Sequence, residues 1–191
     1  MGGTLPRLRD TVRMKRVLII GTSGCGKSIL ARRLAERLSL PYFPSDPFYW
    51  EDNWKPASPK RVQQQLLKVV EQEAWVLDGN FDDHRELVWQ CADCLIWLDY
   101  SLLTILSRII ARNLHWALTR QSTWSGNRMT FQRAFSGIRH AIRSYPTKRR
   151  NYPHYIAELS GVVVYHFQES HQTAAWLTKL NQSLDMNRVR L

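Results

Sequence analysis

At 191 residues the chain is long enough to bury one α/β-sized core, and its 44% apolar content with eight tryptophans excludes a disordered chain. No apolar run approaches the ~18 residues of a membrane-spanning helix, the N-terminal MGGTLPRLRDTVRMKR has no apolar signal core, and three cysteines make no disulfide framework, so a cytoplasmic protein without a membrane partner is expected. The net charge of +11 calls for an anionic partner.

Residues 1–13 read as an extension ahead of Met14, and 14–191 as a single domain. Val17–Ile20 is a short buried strand bounded by Gly21. Ser28–Leu38 carries apolar residues at Ile29, Leu30, Leu34 and Leu38, a helical spacing with arginines on the other face. Pro41–Pro44 is a second, short strand leading into Ser45-Asp46. A loop rich in Pro and Trp follows, then a helix over about Ser58–Glu73. Trp75–Leu77 and Leu95–Leu98 are the third and fourth strands, ending at Asp78-Gly79 and at Asp99. Leu102–Asn113 is helical by pattern. From Leu114 to about Phe135 the periodicity weakens, which predicts a lid-like insertion over roughly 114–137. Helical patterning resumes at Ile138–Ile142 and again after Pro146. Val162–Phe167 is the fifth strand, and Ser170 is the candidate cap of a last helix through Leu180. Strands alternating with helices predict a three-layer α/β domain around a five-stranded, mainly parallel sheet.

The charge is concentrated. Tyr100 to Ala157 contains no Asp or Glu, but nine arginines and Lys148. Nucleotide phosphates, a nucleic acid and a membrane surface all suit such a block, and composition does not choose among them.

Gly21-Thr-Ser-Gly-Cys-Gly-Lys27-Ser28 fits G-x-x-x-x-G-K-[ST] at every defined position, between a strand and a helix as that motif requires. The glycines let backbone N–H groups converge on a phosphate, and the helix N-terminus adds its positive dipole end. Gly21, Thr22, Ser23, Gly24, Cys25, Gly26, Lys27, Ser28 and Ile29 are therefore the expected nucleoside triphosphate set. Lys27 reaches the β- and γ-phosphates and Ser28 ligates Mg²⁺. The loop fixes the nucleotide but not the reaction. A short acceptor region, a lid and many arginines favour a small kinase over a motor or switch, because phosphoryl transfer is mostly positioning and charge neutralisation.

Three stretches, GTSGCGKSILARRLAERL, SDPFYWEDNWKPAS and WVLDGNFDDHRELVWQCADCLIWLDYSLLTILSRIIARN, together resemble the adenylate-kinase-like P-loop proteins called DNA topology modulation proteins (FlaR-like). The resemblance covers roughly Lys15 to Leu180. It implies a P-loop NTPase fold like that of the nucleoside monophosphate kinases, with a basic lid and with ATP and Mg²⁺ as ligands. Arg108 and Arg112 match two arginines a turn apart, one near the adenine and one near the transferring phosphate. Arg85 follows the strand-end Asp-Gly as an acceptor-phosphate arginine does in that wider group, although Asn80-Phe81 intervenes here. Arg139 and Arg143 are the best lid arginines, with Arg128 and Arg133 behind them. In related small kinases an acidic residue at the position of Asp46 orients or deprotonates the acceptor hydroxyl.

Each of these residues has a plainer reading. Asp46 can be a cap before Pro47. Asp78, placed for the Mg²⁺ shell and the acceptor side, can be a structural cap. Asp99 fits packing or capping better than chemistry. Phe48, Tyr49, Trp50 and Trp54 either stack on an acceptor ring, with Trp50 in contact, or close the loop around it. Cys91 and Cys94 lack a second pair or a nearby His and read as structural, and Cys25 reads as a small residue at a permissive position. His115, His140, His154, His166 and His171 share no spacing and receive no role. The expectation is an ATP-dependent phosphotransferase acting on a small acceptor, with a nucleotide or nucleoside as the candidate class. The competing expectation is a nucleotide-regulated DNA- or RNA-binding protein using the basic 108–150 segment, with incidental ATP turnover.

Overall fold

The computed structural model describes residues 14–51, 55–119 and 131–188. Arg16–Gly21 forms β1, and Val17, Leu18, Ile19 and Ile20 within it are fully buried. Uninterrupted burial of an aliphatic run marks a parallel strand covered on both faces. The sheet has the order β2-β3-β1-β4-β5, with β2 (Tyr42–Pro44), β3 (Trp75–Asp78), β4 (Cys94–Leu98) and β5 (Val163–Phe167). Every pairing is parallel. The helices are α1 (Lys27–Leu38), α2 (Asp46–Tyr49), α3 (Pro59–Val70), α4 (Arg85–Val88), α5 (Leu102–Thr119), α6 (Phe131–Ala157) and α7 (Ser170–Arg188).

Pleating divides β1 between two cores. Val17 and Ile19 meet Leu30 and Leu34 of α1, Ile105 and Ile109 of α5, and Trp176 and Leu180 of α7. Leu18 and Ile20 meet Leu66 of α3, Trp89, and Tyr152 of α6. The second core is aromatic: the Trp89 and Trp97 rings stand edge-on to Tyr152 at 5.2 and 5.7 Å. Such rings bury large areas and fix α6 to the sheet.

Because all strands run the same way, their C-terminal ends share one edge, where open α/β sheets bind ligands. Register brings particular residues together there. Asp78 lies across from Ile19 on one side and from Pro44 on the other, while Gly21 lies across from Leu98. The loop after β1, the Asp-Gly after β3 and the Ser45-Asp46 after β2 thus meet.

The helices depart from the sequence pattern more than the strands do. Ser58 is an N-cap, accepting from the Arg61 N–H at 3.3 Å, so the helix begins at Pro59. At the start of α7 it is the Gln172 side chain, turned back, that accepts from the Gln168 and Glu169 N–H groups. The expected lid over 114–137 is helical at both ends, since α5 continues to Thr119 and α6 starts at Phe131. Residues 120–130, Trp54 and the 1–13 extension lie outside the described residues. α6 is one helix where the pattern suggested two, with Pro146 and Pro153 inside it. Proline lacks the N–H and crowds the preceding turn, but burial of Ala141 on one side and Tyr152 on the other holds the helix through both. Among the described residues no helix is long and apolar enough to cross a membrane.

Candidate active site

The loop from Gly21 to Gly26 joins β1 to α1, with Gly26 as the N-cap at φ 102°. Gly24 has φ 88°, and a Cβ there would fall 2.4 Å from Ile109 Cγ1. Only glycine therefore lets the loop lie flat against α5. The Cys25 side chain is fully buried in the core, and its carbonyl accepts from Arg108 Nη1 at 2.7 Å. The Arg108 guanidinium also lies 4.9 Å over the Tyr100 ring. Lys27 Nζ donates to the Gly21 carbonyl at 3.0 Å, which keeps the ammonium over the loop. Ile29, in the first turn of α1, is 65% exposed.

A residue the sequence reading passed over closes the loop's entrance. Asn80 Oδ1 accepts the Gly21 N–H at 2.8 Å, and the Asn80 carbonyl accepts from Trp89 Nε1 at 2.7 Å. The D-G-N run after β3 was its signal. Phe81 follows with φ 50°, a left-handed conformation rare for a bulky residue. Its ring packs on Tyr49 and Phe48 of α2.

Asp78 is 1% exposed and accepts from the Ser45 N–H at 2.8 Å. Burial pushes its carboxyl above the usual 3.8, against the Ser28 hydroxyl, the Ser45 N–H and the Lys27 ammonium, which favour the charged form. Asp46, at the start of α2, reaches solvent, yet the surrounding protein strips enough water from it to raise its pKa. The Asp78 charge raises it further, while Lys27 and Arg112 pull it down. Two carboxylates that repel each other beside the Ser28 hydroxyl make a small oxygen-donor site. Among the described residues no set of three or more His, Cys, Asp or Glu could hold a metal alone. The Asp78 carboxylate and the Ser28 hydroxyl beside it offer two oxygens, which fits Mg²⁺, an ion that takes one or two protein oxygens and completes its octahedron with water and substrate phosphates. Ser28 and Asp78 are the residues that could hold it.

α6 brings a different set of residues than its arginines suggested. Arg139 and Arg143 are exposed. His140, Lys148 and Tyr152 share a stripe at multiples of four residues, in which His140 is exposed like the two arginines and Lys148 and Tyr152 are buried. Lys148 is 8% exposed, with Nζ 3.9 Å from Asp82 Oδ2. Burial and the Lys27 charge lower its pKa from 10.5 to about 8. Burial and the same two lysines lower that of His140. Tyr152 donates its hydroxyl to Asp82 Oδ1 at 2.9 Å.

The remaining candidates are placed as follows. Arg112 is close enough to Asp46 for the two charges to act on each other, though burial lowers its pKa overall. Arg85 follows the Asp82–His84 turn and stacks on Tyr155 of α6 with Cζ 3.8 Å from the ring centroid. Trp50 is half-buried and bridges to Pro56, tying the acceptor-side loop together. Asp99 is buried and bound to Arg149 Nε at 3.2 Å and His166 Nε2 at 3.1 Å. The three cysteines are free, with Cys25 and Cys94 buried.

Known proteins of the same shape exist. The structure is similar to shikimate kinase from Bacteroides thetaiotaomicron, with TM-score 0.54 and 16% identity over 90% of this chain and 98% of that one. Shikimate kinase from Acinetobacter baumannii, in complex with shikimate, gives 0.53 and 15% over 94% and 98%. A gluconokinase from Sinorhizobium meliloti 1021 gives 0.50 and 15% over 92% and 98%. The chain has the P-loop kinase fold. At these identities the likeness is one of fold. No family model matches the chain and no curated protein does, so the topology-modulation resemblance rests on its motifs alone.

Proposed function

We propose that this chain is an ATP- and Mg²⁺-dependent phosphotransferase, working in the cytoplasm on a small acceptor. The observation that carries the reading is the meeting of Lys27 and Ser28 with two carboxylates, Asp78 and Asp46, at one sheet edge, where Lys27 acts on both carboxylates, Ser28 bonds Asp78, and Asp78 acts on Asp46. Lys27 would hold the β- and γ-phosphates, and Ser28 and Asp78 would hold Mg²⁺, which would neutralise charge on the phosphate oxygens. Asp46 accepts the proton of the acceptor hydroxyl as its oxygen bonds to the γ-phosphorus. The bond from that phosphorus to the β-bridging oxygen breaks, and ADP leaves. The raised pKa of Asp46 suits it to that proton. Arg108 and Arg112 stand beside the loop to balance charge in transit, and Trp50 and Arg85 border the acceptor side.

A screen of nucleosides, nucleotides and small alcohols for ADP release with Mg·ATP tests the reading. One acceptor class is expected to give turnover that Lys27→Ala and chelation of Mg²⁺ both abolish, with the variant's far-ultraviolet circular dichroism unchanged. Unchanged turnover in Lys27→Ala would end it.

A second reading, nucleic-acid binding, draws on the exposed Arg139, Arg143, Arg149 and Arg150 of α6. It requires binding to duplex or single strands with a steep salt slope that Arg-to-Ala changes in α6 flatten. No binding at low salt removes it.

A further inference from the structure

Lys148 is the group in the site that the reading above leaves without work. It is buried, its ammonium is 3.9 Å from the nearest carboxylate oxygen, and that oxygen belongs to Asp82, whose other oxygen takes the Tyr152 hydroxyl. At that separation the ion pair is not a hydrogen bond. The centroid of the Tyr152 ring is 5.9 Å from the ammonium. Lys27, the phosphate lysine of the loop, is close enough for the two positive charges to oppose each other. A buried cation beside a second cation, with one loose carboxylate partner, is costly unless an anion joins the group. The two lysines come from different helices, Lys27 opening α1 behind the loop and Lys148 lying within α6, and their charges act on each other.

We infer that Lys148 is a second phosphate lysine: it exchanges its loose pairing with Asp82 for the terminal phosphoryl group of the bound nucleotide and grips that group from the side opposite Lys27. The inference rests on the kinase reading. Asp82 is then a placeholder for the phosphoryl group, keeping Lys148 in position between turnovers while Tyr152 keeps Asp82 in place. Lys148 makes a contact with a triphosphate that it does not make with a diphosphate, and this separates its role from that of Lys27. No bond is made or broken by Lys148 itself; it supplies charge and position to the group in transit.

The test is equilibrium binding of a non-hydrolysable β,γ-imido ATP analogue and of ADP, each with Mg²⁺, to the full chain and its variants. A charge-assisted hydrogen bond to phosphate corresponds to roughly 10- to 100-fold in affinity. Lys148→Met is expected to weaken the triphosphate analogue by that factor and leave ADP within about 2-fold, on the same scale of one lost contact. Lys148→Arg is expected to recover most of the loss. An equal loss for both nucleotides, or none for either, overturns the inference. Thermal unfolding of Lys148→Met without ligand separates a folding defect, since removing an isolated buried charge is expected to leave the melting temperature unchanged or raised. A structural ion pair with Asp82 would lower it, and that result overturns the inference as well. If the unaltered chain binds neither nucleotide, the kinase reading itself fails, a result distinct from all of these.

Discussion

Asp46 and Asp78 are both carboxylates lifted above the usual range, but they differ in how much water they see. Asp78 is sealed beneath the loop and Asp46 opens to solvent. On the proposed kinase reading, that difference suits the first to the metal side and the second to the proton. Asp46→Asn is expected to lower kcat by about 10²–10⁴, the usual contribution of a positioned base, while nucleotide affinity stays close to that of the unaltered chain. The acid limb of the kcat profile should lie above the ordinary 3.8 of an aspartate and vanish in the variant, because a raised pKa keeps the base protonated to higher pH. Rate against pH for both proteins checks this. A limb that survives in Asp46→Asn would move the proton to another group.

At the scale of elements, the loop between β1 and α1 is held by three neighbours. α5 supplies Arg108 to the Cys25 carbonyl, the β3–α4 turn supplies Asn80 to the Gly21 N–H, and Ile109 lies where a Gly24 side chain would go. Gly24→Ala meets both a left-handed φ and a 2.4 Å contact, so either the loop or α5 must shift. It is expected to cost about 1–3 kcal/mol of stability, the range for overpacking and backbone strain, and to weaken nucleotide binding at least as much. Urea unfolding and isothermal titration give the two quantities. The β1–loop–α1 unit was legible because an aliphatic run, spaced glycines and an amphipathic helix each point to one structure. The phase of α6 was not. Arg139 with Arg143 and His140 with Lys148 are both spaced in fours, on stripes only one residue, about 100°, apart. Pro146 breaks the pattern that would have chosen between them. What decides is tertiary: Ala141 and Tyr152 are buried against opposite faces of the sheet, and that turns Lys148 toward Lys27. Asn80 was hidden for a similar reason, since its partner Gly21 lies 59 residues away.

For the whole molecule, the site is a concentration of mismatched charge that folding must tolerate without ligand. The folded chain holds the Asp46 and Asp78 protons more tightly than the unfolded chain does. Their contribution to stability is therefore complete below 3.8 and is lost as pH rises through their raised values. Lys148 acts in the other direction: its contribution is complete above 10.5 and is lost as pH falls through about 8. Asp78→Asn keeps an acceptor for the Ser45 N–H but has no charge to bury. Its melting temperature should gain on that of the unaltered chain as pH rises through the Asp78 titration, and Mg·ATP should erase much of the difference. Melting curves across pH, with and without ligand, test both statements, and a constant offset between the proteins would refute them. The sheet and its cores were readable because each strand is a short apolar run ending in Gly or Asp. The electrostatic balance was not, because it depends on which cations the crossing helix turns inward.

The prolines of α6 fall between and just beyond its two anchors. Ala141 seats the helix in one core of the sheet and Tyr152, edge-on to two tryptophans, seats it in the other, while Arg149 ties it to Asp99. At Pro146 the Ile142 carbonyl has no N–H to receive, so the span between the anchors lacks one backbone hydrogen bond. Lys148 sits in that span, carried like a load on a beam supported at both ends.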